Sequence, residues 1–240
     1  MKYSKRKIFR TVWVVSGLSF MAWMILSMSA KGVDEEIFES NAEISVDQMD
    51  ETIAFAPTKP YDKIVIFFPG ALVDPDAYAP LCRKIAEEGS RVLICKMPFR
   101  LATRGYNDIK ETDILDDPTK QYILMGHSQG AKMAAQFVYE NPGVIDKLIL
   151  LGTTHPRDID LSGAKIPILK ISGANDGVAD LGKVNRNKPK LPSSTKYVTI
   201  EGANHSQFGY YGFQLGDSKA TISRDEQQAL VLENVLAFIE

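Results

Sequence analysis

Apolar and polar positions divide the chain into two unlike parts. Residues 11–30 (TVWVVSGLSFMAWMILSMSA) carry no charge. As a helix rising ~1.5 Å per residue, such a run is long enough for the ~30 Å hydrocarbon core of a bilayer. From residue 51 onward the apolar residues come in short runs instead. Segments 63–68 (KIVIFF), 91–97 (RVLICKM), 122–125 (YILM), 147–151 (KLILL), 166–172 and 196–200 are each long enough for a buried strand and too short for a helix. ETIAFAP, from Glu51, reads as an edge strand. Between the strands lie segments of helical spacing: 76–88, stopped by Gly89; the stretch after 125, ending at Asn141-Pro142-Gly143; and the amphipathic 224–240. A looser segment at 107–115 reads as a further helix. Strands alternating with helices predict a mostly parallel sheet covered on both faces, with neither repeats nor a second domain.

Charge sharpens the reading of the first part. Lys2, Lys5, Arg6, Lys7 and Arg10 precede the uncharged run, and the first thirty residues hold no acid. A basic flank stays in the cytoplasm, which places the rest of the chain outside it. Residues 1–30 are expected to be an uncleaved membrane anchor. The alternative is a signal peptide, for which Ser27 and Ser29 supply a small-residue cleavage pattern. Residues 31–49 (KGVDEEIFESNAEISVDQM) are polar and acidic and read as a solvated linker, leaving 50–240 as the folded domain. With 45% hydrophobic residues, that part can bury a substantial core. A net charge of −2 gives no nucleic-acid footprint. Cys82 and Cys95 fall in a predicted helix and a predicted strand. Two buried reduced thiols are expected, with a disulfide as the alternative in an exported chain. No CxxC or HExxH spacing points to a metal.

The strand at 122–125 runs directly into Gly126-His127-Ser128-Gln129-Gly130 and then into a helical stretch with Ala131, Met133, Ala134, Ala135 and Phe137. G-x-S-x-G between a strand and a helix lifts its serine to the tip of a sharp turn, where glycines let the two backbones approach. The alternative is a Gly-rich turn with an idle serine. Ser128 is a nucleophile only if a base takes its proton. His205 follows the last predicted strand, where chemistry in open α/β sheets gathers, and is the first choice. His155, after 147–151, is a second choice and a candidate pocket residue. His127, inside the turn, points elsewhere and reads as structural. Asp176, beyond the strand at 166–172, is the acid expected to orient the imidazole, with Asp180 its competitor as either acid or helix cap. The amide of Gln129 and one from the loop after 63–68 are expected to bind an oxyanion. Pro69 has no NH, so Ala71 is preferred, with Leu72 next.

With FFPGALVDPDAY, GHSQGA, SGANDGVAD and EGANHSQFGYYG in place, the chain resembles the α/β-hydrolase superfamily over roughly residues 51–240. Within it, the chain is similar to the compact bacterial group related to the dienelactone hydrolases. The tail HSQFGYYGFQLGDSKATISRDEQQ looks like that of the group's membrane-associated or exported members. The resemblance implies an α/β-hydrolase fold with an eight-stranded type of core, serine acyl chemistry, a small-molecule ester substrate and no cofactor. Two positions depart from it: Ser128 stands where dienelactone hydrolases have cysteine, and Pro69-Gly70 where many hydrolases have His-Gly. The expected activity is a carboxylesterase, held at a bacterial cell membrane with its catalytic domain outside the cytoplasm. Acyl transfer or thioester cleavage on envelope lipids, and a silent hydrolase-fold binding module, are the alternatives. The short connection between 151 and 166 leaves no room for a large helical lid and predicts an open pocket.

Overall fold

The structure is a computed structural model that describes residues 4–240; Lys2 of the basic flank lies outside them. Its strands are β1 (Ile44–Gln48), β2 (Thr52–Pro57), β3 (Lys63–Phe68), β4 (Arg91–Cys95), β5 (Gln121–His127), β6 (Lys147–Leu151), β7 (Ile168–Gly173) and β8 (Lys196–Ile200). Among the described residues they form one sheet in the order β1-β2-β4-β3-β5-β6-β7-β8. The β1/β2 and β2/β4 pairs are antiparallel, and every later pair is parallel. The helices are α1 (Lys5–Met28), α2 (Ala79–Glu87), α3 (Ala102–Gly105), α4 (Gln129–Glu140), α5 (Leu181–Asn187) and α6 (Arg224–Ile239).

Alternation along the parallel strands builds two cores. Val65, Phe67, Ile123, Met125, Ile149 and Leu151 face α2 and α6, where Ile85, Val231 and Val235 meet them. Ile64, Ile66, Phe68, Leu124, Leu148 and Leu150 face α4, against Ala131, Ala135 and Phe137. Strands β3 to β7 are buried on both sides, which is why their sequences read as near-continuous apolar runs. Cys82 and Cys95 are both free and buried, one in each core, on opposite sides of the sheet.

The acidic segment expected to be a linker is part of the folded body. β1 pairs with β2, so β1 is the edge and ETIAFAP lies inside it. Ile44 is 1% exposed and enters the core beneath α2 and α6. Arg83 of α2 donates to the carbonyls of Glu36 (3.1 Å), Ile37 (2.7 Å) and Glu39 (2.8 Å), fastening the approach to β1. Asn41 Oδ1 accepts from the amides of Glu43 and Ile44 and turns the chain into the strand. The acid content drew the linker reading, but the alternation Ile44, Val46 carries the strand.

Two helices differ from expectation. Asp74 accepts from the Asp76 amide and Pro75 starts a 3-10 turn, so the α-helix begins only at Ala79. Residues 107–115 form two 3-10 turns, because Thr112 Oγ1 donates to the Ile109 carbonyl and accepts from the Ile114 amide, breaking the helical ladder. α5 is a short helix that the sequence pattern did not suggest.

α1 is long and apolar enough to cross a membrane, a property that a signal sequence shares. Its far end is built into the domain. The Met28 carbonyl accepts from the Asp74 amide (2.9 Å), the Ser27 carbonyl from Gly212 (2.7 Å), and Ala30 forms a bridge with Tyr211.

Ile44→Ala would leave a cavity under the sheet and is expected to cost about 2–5 kcal/mol, read as a lower thermal midpoint. Asp47→Asn, at an exposed position of the same strand, should leave the midpoint unchanged. Equal tolerance of both changes would restore the linker reading.

Candidate active site

Ser128 stands between β5 and α4 with φ 54° and ψ −114°. Residues with a Cβ rarely take such a conformation, and it persists only where the surroundings enforce it. Here two glycines allow the enforcement. A Cβ on Gly130 would lie 2.0 Å from the Phe68 carbonyl oxygen, and one on Gly126 would lie 2.6 Å from the Gly130 carbonyl carbon. The turn is thus pressed against the end of β3, and the serine is left on the open side.

His205 follows β8. Its Nδ1 lies 2.9 Å from Asp176 Oδ2, both side chains being shielded from solvent. Asp176 Oδ1 accepts from the amides of Val178 (2.9 Å) and Ala179 (2.6 Å). A carboxylate accepts here, so the imidazole hydrogen sits on Nδ1 and Nε2 carries the lone pair. Asp180 is turned away: its Oδ1 accepts from the Lys183 amide (3.1 Å) and caps α5. Ser128, Gln129 and His205 open on one cavity of about 260 Å³, with Lys132, Thr153, Thr154, His155 and Val178 also on its wall. His205 Nε2 and Gln129 Oε1 have no protein partner.

The loop after β3 distributes its amides unequally. The Gly70 amide donates to Tyr78 Oη (3.1 Å) and the Leu72 amide to the Arg100 carbonyl (2.7 Å). Leu72 is therefore withdrawn both as an oxyanion donor and as a pocket residue, since its side chain is exposed and off the cavity wall. Among the described residues the amides of Ala71 and Gln129 meet no acceptor. Gln129 also opens α4, whose first amides have no intrahelical partner and carry the positive end of the dipole.

His127 lies on the α2/α6 side of β5. Tyr78 Oη, which accepts from Gly70, donates to His127 Nδ1 at 2.9 Å. Burial, and then the neighbouring His205, hold the His127 pKa well below the usual imidazole value. A neutral His127 ties the turn to the loop after β3. No set of three or more His, Cys, Asp or Glu side chains among the described residues is arranged to hold a metal.

The sequence profile of the alpha/beta hydrolase family matches residues 64–229. The chain belongs to that family. No curated protein matches the sequence. Several solved structures share the fold of this hydrolase at low identity. The ferulic acid esterase from Streptomyces cinnamoneus is 16% identical with a TM-score of 0.60, over 75% of this chain and 67% of its own. Thermogutta terrifontis esterase 2, phosphonylated by cyclosarin, is 16% identical with a TM-score of 0.58, over 83% and 95%. Est1E from Butyrivibrio proteoclasticus is 15% identical with a TM-score of 0.53, over 82% and 99%.

Several residues that shape the hydrolase site were not singled out from the sequence. Asp217 Oδ1 accepts from the amides of His205 (3.1 Å) and Gly177 (3.2 Å), and its Oδ2 from the amide and hydroxyl of Ser206. One carboxylate thereby joins the loop of Asp176 to the loop of His205. Gln227, buried on α6, holds both the amide and the carbonyl of Asn204. Asp217 is the sole acid in the tail GYYGFQLGDSK, a signal available in the sequence. Gln227 had the weaker signal of a polar residue within a helix facing a core.

Lys170 is the third. It sits inside β7, almost wholly buried, and its Nζ donates to the His155 carbonyl. Burial lowers its pKa to about 7. His155, on the cavity wall, is lowered to about 4 by burial, then by Lys132 and Arg157, and is neutral at pH 7. Around His155 stand three cations (Lys132, Arg157 and, below its pKa, Lys170) and one opposing acid, Asp158.

The buried ammonium sets a pH-dependent penalty. Below pH ~7 Lys170 is charged both folded and unfolded, and the cost of burial is fully present. Between about 7 and 10.5 the unfolded chain holds a proton that the folded one lacks, so stability rises with pH. Lys170→Met is expected to raise the thermal midpoint most at pH 6 and least near pH 10. A gain independent of pH would show that the side chain keeps its ordinary pKa in the folded chain.

Proposed function

We propose that the protein is a serine hydrolase that cleaves carboxylic esters of small or medium size through an acyl-enzyme on Ser128. The observation that carries the reading is His205, bound through Nδ1 to a buried carboxylate, with its free Nε2 on the same cavity as Ser128. Ser128 Oγ attacks the ester carbonyl as His205 Nε2 takes its proton. Asp176 stabilises the imidazolium and keeps the ring in register. The amides of Gln129 and Ala71 receive the developing oxyanion, which a preorganised pair stabilises far better than water does. His205 then protonates the leaving alcohol. In the second half it draws a proton from water, which attacks the acyl group and frees Ser128. The structural relatives named above are esterases, in agreement with this chemistry, and one of them is captured as a phosphonyl adduct.

Two further features narrow the reading. Lys132, the cation on the cavity wall, favours esters that carry a carboxylate. The second feature concerns location. The end of α1 supplies Met28 to the core and carbonyls to two loops, so cutting near Ser29 would remove part of the folded body. That supports α1 as a retained anchor, with the hydrolase domain at the outer face of the bacterial cell membrane.

A fluorophosphonate is expected to label Ser128, located by mass spectrometry, and Ser128→Ala to abolish both labelling and ester turnover. Full esterase activity in Ser128→Ala would overturn the mechanism. Asp176→Asn is expected to lower turnover on the order of 10⁴-fold, as when an orienting acid is lost from a triad. Asp180→Asn should act only on α5 stability; the reverse ranking would transfer the role of the acid. Lys132→Gln should lower the ratio of kcat/KM for a hemisuccinate ester over that for the matching acetate. An unchanged ratio would remove the cation preference.

A further inference from the structure

We infer that the hydrolase domain is seated directly on the bilayer through an apolar rim, Leu72, Phe99, Phe213 and Leu215, around the point where α1 enters the domain. The inference rests on reading α1 as a membrane anchor. It adds that the face carrying the active-site loops is the face pressed to the lipid.

The helix length demands a close approach. From Thr11, the first residue past the basic flank, to Leu26, the last before the docked turn, α1 is only ~24 Å long. The hydrocarbon core is ~30 Å thick. The turn that is hydrogen-bonded into the domain therefore lies at the edge of the hydrocarbon, with no spacer between lipid and protein.

Each rim residue is tied to that turn. The Ser27 hydroxyl donates to the Phe213 carbonyl, and the Gly212 amide to the Ser27 carbonyl. Leu215 lies two residues further along the same loop. On the other side, the Asp74 amide donates to the Met28 carbonyl, Arg100 is paired with Asp74 at 2.7 Å, and the Leu72 amide donates to the Arg100 carbonyl.

The exposure is large for apolar side chains: 84% for Phe99, 66% for Leu215, 53% for Phe213 and 37% for Leu72. Leu72, Phe99 and Arg100 have φ of 62°, 55° and 56°, in the left-handed region that side chains avoid. In water, neither that strain nor that exposure is returned. At an interface, aromatic and aliphatic tips enter the boundary between headgroups and chains. Phe99 comes from the loop after β4; the other rim loops are the loop after β3, which holds Ala71, and the loop after β8, which holds His205. Esters dissolved in the outer leaflet would thus lie beside the cavity.

Spin labels on the full chain, in vesicles of phosphatidylcholine and phosphatidylglycerol, test the seating. Cys82 and Cys95 are buried with raised pKa values, so a label goes to introduced cysteines. Phe99→Cys and Phe213→Cys are expected to show an oxygen-to-nickel-chelate accessibility ratio several-fold above that of Tyr139→Cys, an exposed site at the end of α4. Val15→Cys reports insertion of α1 itself. If Val15→Cys lies in lipid while the rim labels are as wet as Tyr139→Cys, the seating is overturned and the anchor stands. If Val15→Cys is also wet, the anchor reading falls, and the seating with it. Spin-spin broadening at the rim would assign these residues to a contact between copies and would likewise overturn the proposal.

Discussion

The contact on which the site depends is between backbones: Gly130 against the carbonyls of Phe68 and Pro69. No side chain fits there. That closeness fixes the turn after β5 relative to the loop after β3, and so fixes the Gln129 amide relative to the Ala71 amide. Tyr78 and His127 repeat the same connection in side-chain hydrogen bonds on the other side of the strand. The proposed oxyanion amides can act together only if neither loop drifts. Here both a steric contact and a polar bridge prevent drift.

The proposed acid and base are held by a different device. Asp176 and His205 come from loops after adjacent strands, β7 and β8, and a carboxylate outside the pair binds both loops. Asp217 spends its oxygens on amides and a hydroxyl, so its charge is satisfied without disturbing the imidazole. The cost of precision appears at Lys170, whose ammonium is buried beneath the cavity wall to hold one carbonyl of the His155 loop. Stability is surrendered there for the placement of a loop.

Much of the sheet was legible because parallel strands buried on both faces announce themselves, as KIVIFF and KLILL do. The turn GHSQG was legible because its glycines have a steric task that no other residue performs. Asp176 was separable from Asp180 by its place at a strand end, whereas Asp180 has a capping amide within reach. Less could be seen where polarity and burial part company. Residues 31–49 carry most of their acids in the approach to an edge strand and one at its outward Asp47, and composition alone hides Ile44. Leu72 was credited with a free amide because the partner that occupies it, the Arg100 carbonyl, comes from a loop whose left-handed residues no local rule foretells. Lys170 sits in a strand as a charged residue among apolar ones, and its partner is fifteen residues back.

The junction of α1 with the domain has a consequence for where the chain can be divided. Beginning a fragment at residue 50 would strip β1 and leave β2 as a raw, apolar edge open to pairing with another chain. Beginning at residue 31 would remove Met28 from the core and leave the amides of Asp74 and Gly212 without acceptors. The seam between the part suited to water and the part suited to lipid falls within a single helical turn, just before Ser27. A soluble version would have to be made by recolouring the surface of that helix, exchanging its outward Phe, Trp and Leu for polar residues, and not by shortening the chain.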